Sequence, residues 1–118
     1  MKYFTDKANY YMTRRVSENV EQEIINLMIG MIQENNRDGI KSDYFKVFKF
    51  DNIIEKGQRY LVVTETQERP RMKIQKKYVY ADDEEILLNS KHSTTIWCIS
   101  DGIWKETETI TFLFPDEY

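Results

Sequence analysis

The alternation that runs from Asp43 to Tyr80 is the tightest constraint on how this chain can fold. Asp43–Phe50 places Tyr44, Phe48 and Phe50 on one parity and Phe45 and Val47 on the other. That pattern predicts a strand covered on one side and partly covered on the second. Arg59–Glu68 is rich in β-branched residues and reads as a second strand. Met72–Tyr80 alternates more cleanly, with Met72, Ile74, Tyr78 and Tyr80 inward and Lys73, Gln75 and Lys77 outward; Lys76 interrupts the inward side. Glu55-Lys56-Gly57 supplies one turn. Arg69-Pro70-Arg71 supplies the other break, because proline has no N–H to give to a ladder. Neither connection has room for the helical crossover that parallel neighbours need, so these strands are expected to be antiparallel.

The preceding segment has a different period. Val20, Ile24, Leu27, Met28, Met31 and Ile32 recur at helical spacing, and Ile25 and Ile29 widen the stripe to about half the circumference. Ser17 or Asn19 is the expected cap, with Glu18, Glu21 and Glu23 near the positive end of the helix dipole. Asn35 to Gly39 ends the helix. So wide a stripe needs more than one sheet face. Either a loop or the N-terminal strand covers its flank, or Ile25 and Ile29 form a homodimer contact.

Residues 9–15 are expected as a short strand ending in Arg14 and Arg15, and residues 1–8 as a flexible lead-in. Thr94–Ser100 and residues 106–114 read as the last two strands, with Asp101-Gly102 as a turn signal between them. Residues 81–90 fit either one or two helical turns or a loop. The expected fold is α+β: a mainly antiparallel sheet of about five or six strands, with one long amphipathic helix packed on one face, in a single domain spanning 1–118.

Composition narrows the function classes. At 41% hydrophobic and 31% charged, the chain is globular rather than disordered. A single cysteine, Cys98, in an apolar run fits a reducing compartment, and neither a signal peptide nor a membrane-length apolar run is visible, so the expected location is cytoplasmic. Charge is unevenly spread. Residues 41–77 carry 10 basic and 5 acidic side chains; residues 78–118 carry 2 and 9. The two regions either offset each other across one solvated sheet or face different partners.

Chemistry is hard to find. One His (His92) and one Cys (Cys98) cannot build a structural zinc site, and Asp82-Asp83-Glu84-Glu85 lacks the spacing of a calcium loop. His92 lies roughly 20 Å from Cys98 along an extended chain, so a buried structural thiol is favoured over a nucleophile. Gly30, Gly39, Gly57 and Gly102 are isolated, with no phosphate cradle. No cofactor, metal or catalytic group is expected, and the chain reads as non-enzymatic. The dense basic stretch 69–77 (Arg69, Arg71, Lys73, Lys76 and Lys77), followed by Tyr78 and Tyr80, leaves nucleic-acid binding as the alternative. Its tyrosines share the inward parity, and the net charge of −3 opposes it.

Several segments, in order, resemble a small family of uncharacterised proteins from Gram-positive bacteria and their phages, catalogued as a staphylococcal domain of unknown function. They are Tyr10–Val16, the amphipathic helix, Asp43–Phe50, Gln67–Pro70, Ile96–Gly102 and Phe114–Tyr118. Residues 51–66 and 81–93 depart from that pattern in length and composition. The resemblance implies a small cytoplasmic accessory protein, carried by a bacterium or its mobile DNA, acting through a protein partner. Its shared motifs would make Arg14, Arg15, Gln67, Glu68, Arg69, Asp116, Glu117 and Tyr118 an interaction surface, which Arg71 and Lys73 of the adjoining basic stretch extend. The terminal Phe114–Tyr118 is then either an anchor against the sheet or a short acidic-aromatic ligand.

Overall fold

A computed structural model describes residues 2–79, 93–104 and 107–118. The chain is α+β. Six strands, β1 (Ala8–Met12), β2 (Phe45–Glu55), β3 (Gln58–Glu68), β4 (Arg71–Val79), β5 (Ser93–Trp104) and β6 (Thr107–Leu113), form one sheet in the order β1-β6-β5-β2-β3-β4. Two helices, α1 (Arg14–Asn19) and α2 (Gln22–Arg37), lie between β1 and β2.

The sheet is mixed rather than wholly antiparallel. β2 through β6 pair antiparallel, while β1 runs parallel to β6, with Ala8 opposite Glu108 and Met12 opposite Phe112. That pairing joins chain segments far apart in sequence, so the short-connection argument that holds for β2–β4 does not reach it.

Parity decides what is buried. Lys46, Phe48 and Phe50 on β2, Leu61, Val63, Glu65 and Gln67 on β3, Ile96 and Cys98 on β5, and Ile110 and Phe112 on β6 all point to the side covered by α2. From the helix, Ile24, Ile25, Met28, Met31 and Ile32 fill the same core. The inward residues of β4 follow the sequence reading: Met72, Ile74 and Tyr78 are partly buried, and Tyr80 lies outside the described residues. Lys76 shares that side without cost because Glu34 of α2 pairs with it, holding the lysine above its usual range and the carboxyl below its own.

The wide helix stripe is spent within the chain. Ile25 is 1% exposed and Ile29 is partly buried against the same cluster. Ile25 therefore offers no surface to a second copy, while Ile29 keeps part of its own. The segment expected to be a flexible lead-in contributes Phe4, which is fully buried. Its backbone N–H donates to Glu108, and Asn36 donates to its carbonyl.

Other local expectations shift. Arg14 and Arg15 begin α1 rather than end a strand, and Thr13 is the cap, its hydroxyl accepting from Val16 N. Ser17 and Asn19, the expected caps, sit inside α1; α2 starts after Glu21, which makes no side-chain cap. Asp101-Gly102 is a bulge inside β5, not a turn: the register shifts between Ser100 and Ile103, and Gly102 takes φ +79. An Asp-Gly pair serves a bulge as readily as a hairpin, since both need the left-handed backbone.

The β2–β3 turn is read correctly from the sequence. Lys56 and Gly57 both have positive φ, 51 and 77, the geometry whose twist matches two antiparallel strands. A Cβ added at Gly57 meets no atom within 4 Å. Gly57→Ala therefore costs backbone strain alone, about 1 kcal/mol, seen as a lower urea midpoint with unchanged slope.

Candidate functional site

Two regions of the sheet carry unusual chemistry, one on each face. Under α2 lies a closed polar centre. Lys46 and Glu65, both fully buried, sit 3.1 Å apart. Asn35 of α2 donates to both Glu65 oxygens at 3.0 and 2.8 Å. Lys46 also donates to Gln67 at 2.8 Å, and its ammonium lies 5.1 Å from the centre of the Phe4 ring. Gln67 in turn donates to the carbonyls of Lys41 and Pro70 and accepts from Asp43 N.

Every polar group in this centre is engaged with another, which is what lets charges remain in a core. Cys98, directly opposite Lys46 across β2 and β5, is buried; burial pushes its thiol well above the usual range, with Lys46 opposing that rise. A buried, protonated thiol is a poor nucleophile. Among the described residues no group of three or more His, Cys, Asp or Glu is placed to hold a metal ion.

The opposite face is different. Thr64 and Leu113 are buried on it, and Tyr118 rests against Trp97 at one side. A cross-strand row runs Leu113–Trp97–Val47–Thr66–Lys73 over five strands, and Ile99 and Phe45 form the adjoining pair. Phe45, Val47, Trp97 and Ile99 are only partly buried. Aromatic contacts continue the row. Phe45 meets Trp97 edge-on at 5.0 Å, Trp97 meets Tyr118 at 5.6 Å, and Tyr44, half-exposed, leans on Phe45 at 6.3 Å.

Beside this apolar band, Phe45, Val47, Thr66, Glu68, Arg71, Met72 and Lys73 line an open cleft of about 410 Å³. Arg71, Lys73 and Lys49 are exposed on this face and no described residue bonds or pairs with their side chains. Further along β4, Lys77 is engaged, paired with Glu55 and lying 4.2 Å from the centre of the Tyr60 ring.

The ten residues expected to form one surface therefore separate. Glu68, Arg71 and Lys73 gather at the cleft. Arg69 lies at the turn beside it, its N–H held by Asp43. Gln67 also borders the cleft, but at 5% exposure it is a pin between β3, the α2–β2 loop and the Pro70 turn. Arg14 pairs with Glu18 on the exposed side of α1. Arg15 pairs with Asp116 at 2.7 Å and covers the Phe114 ring at 4.9 Å. Glu117 accepts from Thr13 Oγ1 and Phe114 N, both at 2.9 Å.

Of the two readings for Phe114–Tyr118, the anchor thus holds for Phe114, Asp116 and Glu117. Tyr118 rests against Trp97 yet stays 82% exposed, extending the aromatic band of the open face. His92, the acidic run 82–85 and residues 81–90 lie outside the described residues. The open-face residues Phe45, Val47, Trp97 and Ile99 were not singled out from the sequence. Their signal was the apolar character of both parities around Phe45–Phe50, with only one helix to cover two faces.

No protein-family model and no curated protein matches the chain. A solved structure is similar throughout: the crystal structure of a protein of unknown function from Enterococcus faecalis, with a TM-score of 0.64 and 19% identity, covering 100% of this chain and 97% of that one. At that identity the likeness is one of fold. No described helix is long and apolar enough to cross a membrane.

Proposed function

We propose that this chain is a non-enzymatic protein-interaction domain that docks a partner on the open sheet face around Val47 and Trp97. It acts as a cytoplasmic accessory protein of a Gram-positive bacterium or its mobile DNA, in the family whose motifs it resembles. The observation that carries the reading is the partly exposed aromatic band Tyr118–Trp97–Phe45 beside three exposed cations with which no described residue pairs. Partly exposed aromatics with an arginine at their flank are residue types enriched in protein-binding patches. The closed polar centre supports the non-enzymatic part, since its nucleophile and charges are sealed under α2 and Phe4.

A nucleic-acid-binding role for residues 69–77 is the second reading. Arg71 and Lys73, free beside aromatics, favour it; Lys76 and Lys77, engaged by Glu34 and Glu55, weaken it. The test is affinity capture from a nuclease-treated Gram-positive extract, with the natural chain and Val47→Asp as parallel baits. The docking reading expects a protein set retained by the first bait and lost by the second. Identical sets on both baits, or retention that disappears with nuclease, would contradict it.

A further inference from the structure

We infer that the open face takes an acidic peptide segment in extended conformation, laid across the strands, with a bulky apolar side chain against Phe45, Val47 and Trp97 and a carboxylate against Arg71 and Lys73. The inference rests on the docking reading above and adds the chemistry and spacing of the occupant.

The geometry sets that spacing. Trp97 and Lys73 stand in one cross-strand row, with β2 and β3 between their strands. Three interstrand steps of roughly 4.8 Å place them about 14 Å apart. An extended peptide advances about 3.3 Å per residue and shows alternate side chains to the same side. An apolar residue and an acidic one therefore meet the two ends when they are about four positions apart. The cleft beside Phe45 and Val47 gives the intervening side chains room, and Thr66 on its floor offers a hydroxyl.

Charge selects among occupants. Among the described residues, Lys49, Arg71 and Lys73 are the cations of this face with no bonded partner; Glu68, Asp51 and Glu55, the last paired with Lys77, are the carboxylates that share it. The excess is small and sits at one end of the apolar band. That suits one or two carboxylates and not a polyphosphate backbone, which calls for a continuous positive stripe. A second copy also fits poorly. A two-fold contact brings the same patch from both copies, so it doubles these cations and supplies no carboxylates beyond those of the face itself.

The test is fluorescence anisotropy with a labelled peptide of about nine residues, carrying Trp and Asp four positions apart in a Ser/Thr background. Comparators carry Lys in place of Asp, or Trp and Asp three apart, which turns the two side chains to opposite sides. A labelled oligo-dT of about 15 nucleotides is the nucleic-acid probe. The natural chain is expected to bind the Asp peptide at least tenfold more tightly than either comparator. Arg71→Glu combined with Lys73→Glu is expected to reverse the order, favouring the Lys peptide. Both positions are exposed on β4, and a reversal cannot come from unfolding. Equal affinity for the Asp and Lys peptides overturns the inference, as does tighter binding of oligo-dT. If no peptide binds while capture stays Val47-dependent, the acidic occupant is wrong and the docking face stands. If capture fails as well, both fall.

Discussion

Replacing Lys46 by Ala is expected to cost roughly 3–5 kcal/mol, the loss typical of breaking a buried ion pair by removing one partner. The reason is what remains. Glu65 would stay fully buried, with Asn35 as its bonded partner and no cation to answer its charge. Gln67 would keep its bonds to Lys41, Pro70 and Asp43 but lose the one from the ammonium. For a domain of this size that loss lowers Tm by roughly 10–20 °C. Replacing both charges together, as Lys46→Met with Glu65→Gln, is expected to recover more than half of it. Met fills the lysine's space, and Gln still accepts from Asn35 while neither charge of the pair is left under α2. Urea titration of Lys46→Met, Glu65→Gln and the two together measures the cycle, with Lys46→Ala alongside. A Lys46→Ala cost below about 1 kcal/mol would mean the pair is hydrated, and the closed centre would be misread.

Phe4→Ala is expected to cost a similar amount, about 3–5 kcal/mol, although Phe4 belongs to no helix or strand. Its ring fills core volume and covers the Lys46 ammonium, so truncation leaves a cavity and admits water to the ion pair. The backbone around it is tied down by Glu108, which accepts from Phe4 N and Thr5 N, from the Thr5 hydroxyl and from Ser100 Oγ. Asn36 holds the Phe4 carbonyl from the other side at 2.7 Å. Because Phe4 touches Lys46, the two truncations are expected to couple in a double-mutant cycle, by about 0.5 kcal/mol or more. Amide exchange at Phe4 and Thr5 should be nearly as slow as in the core strands of the natural chain, and fast in Phe4→Ala. Fast exchange in both would show the segment to be detached already.

These two residues mark where the sequence stops being legible. The β2–β3–β4 meander, its Lys56-Gly57 turn and the stripe of α2 follow from local period and local backbone preference, so they could be read directly. Lys46 and Glu65 left a fainter trace: opposite charges on the core parity of adjacent strands, beside Phe48 and Phe50 on one and Leu61 and Val63 on the other. Only pairing reveals that they meet. Phe4 left none, because its burial depends on Glu108 and Asn36, far along the chain. The parallel β1–β6 pair is equally non-local. Gln67 shows the converse error. A polar residue expected on the surface has an amide that satisfies three backbone groups inside.

The candidate site was half legible. Arg71 and Lys73 stood out as part of a basic stretch, but the apolar band they flank came from cross-strand register, which placed Trp97 beside Val47 and Lys73 beside Thr66. A domain with one face closed by a helix and a buried ion pair, and the other presenting aromatics and free cations, is the central claim. It is tested most directly by amide chemical-shift mapping while the Trp/Asp peptide is titrated in. The account predicts shifts concentrated at Phe45–Lys49, Thr64–Thr66, Arg71–Gln75 and Thr95–Ile99, with α2 unmoved. Shifts centred on α2 or on the Phe4 segment would contradict it.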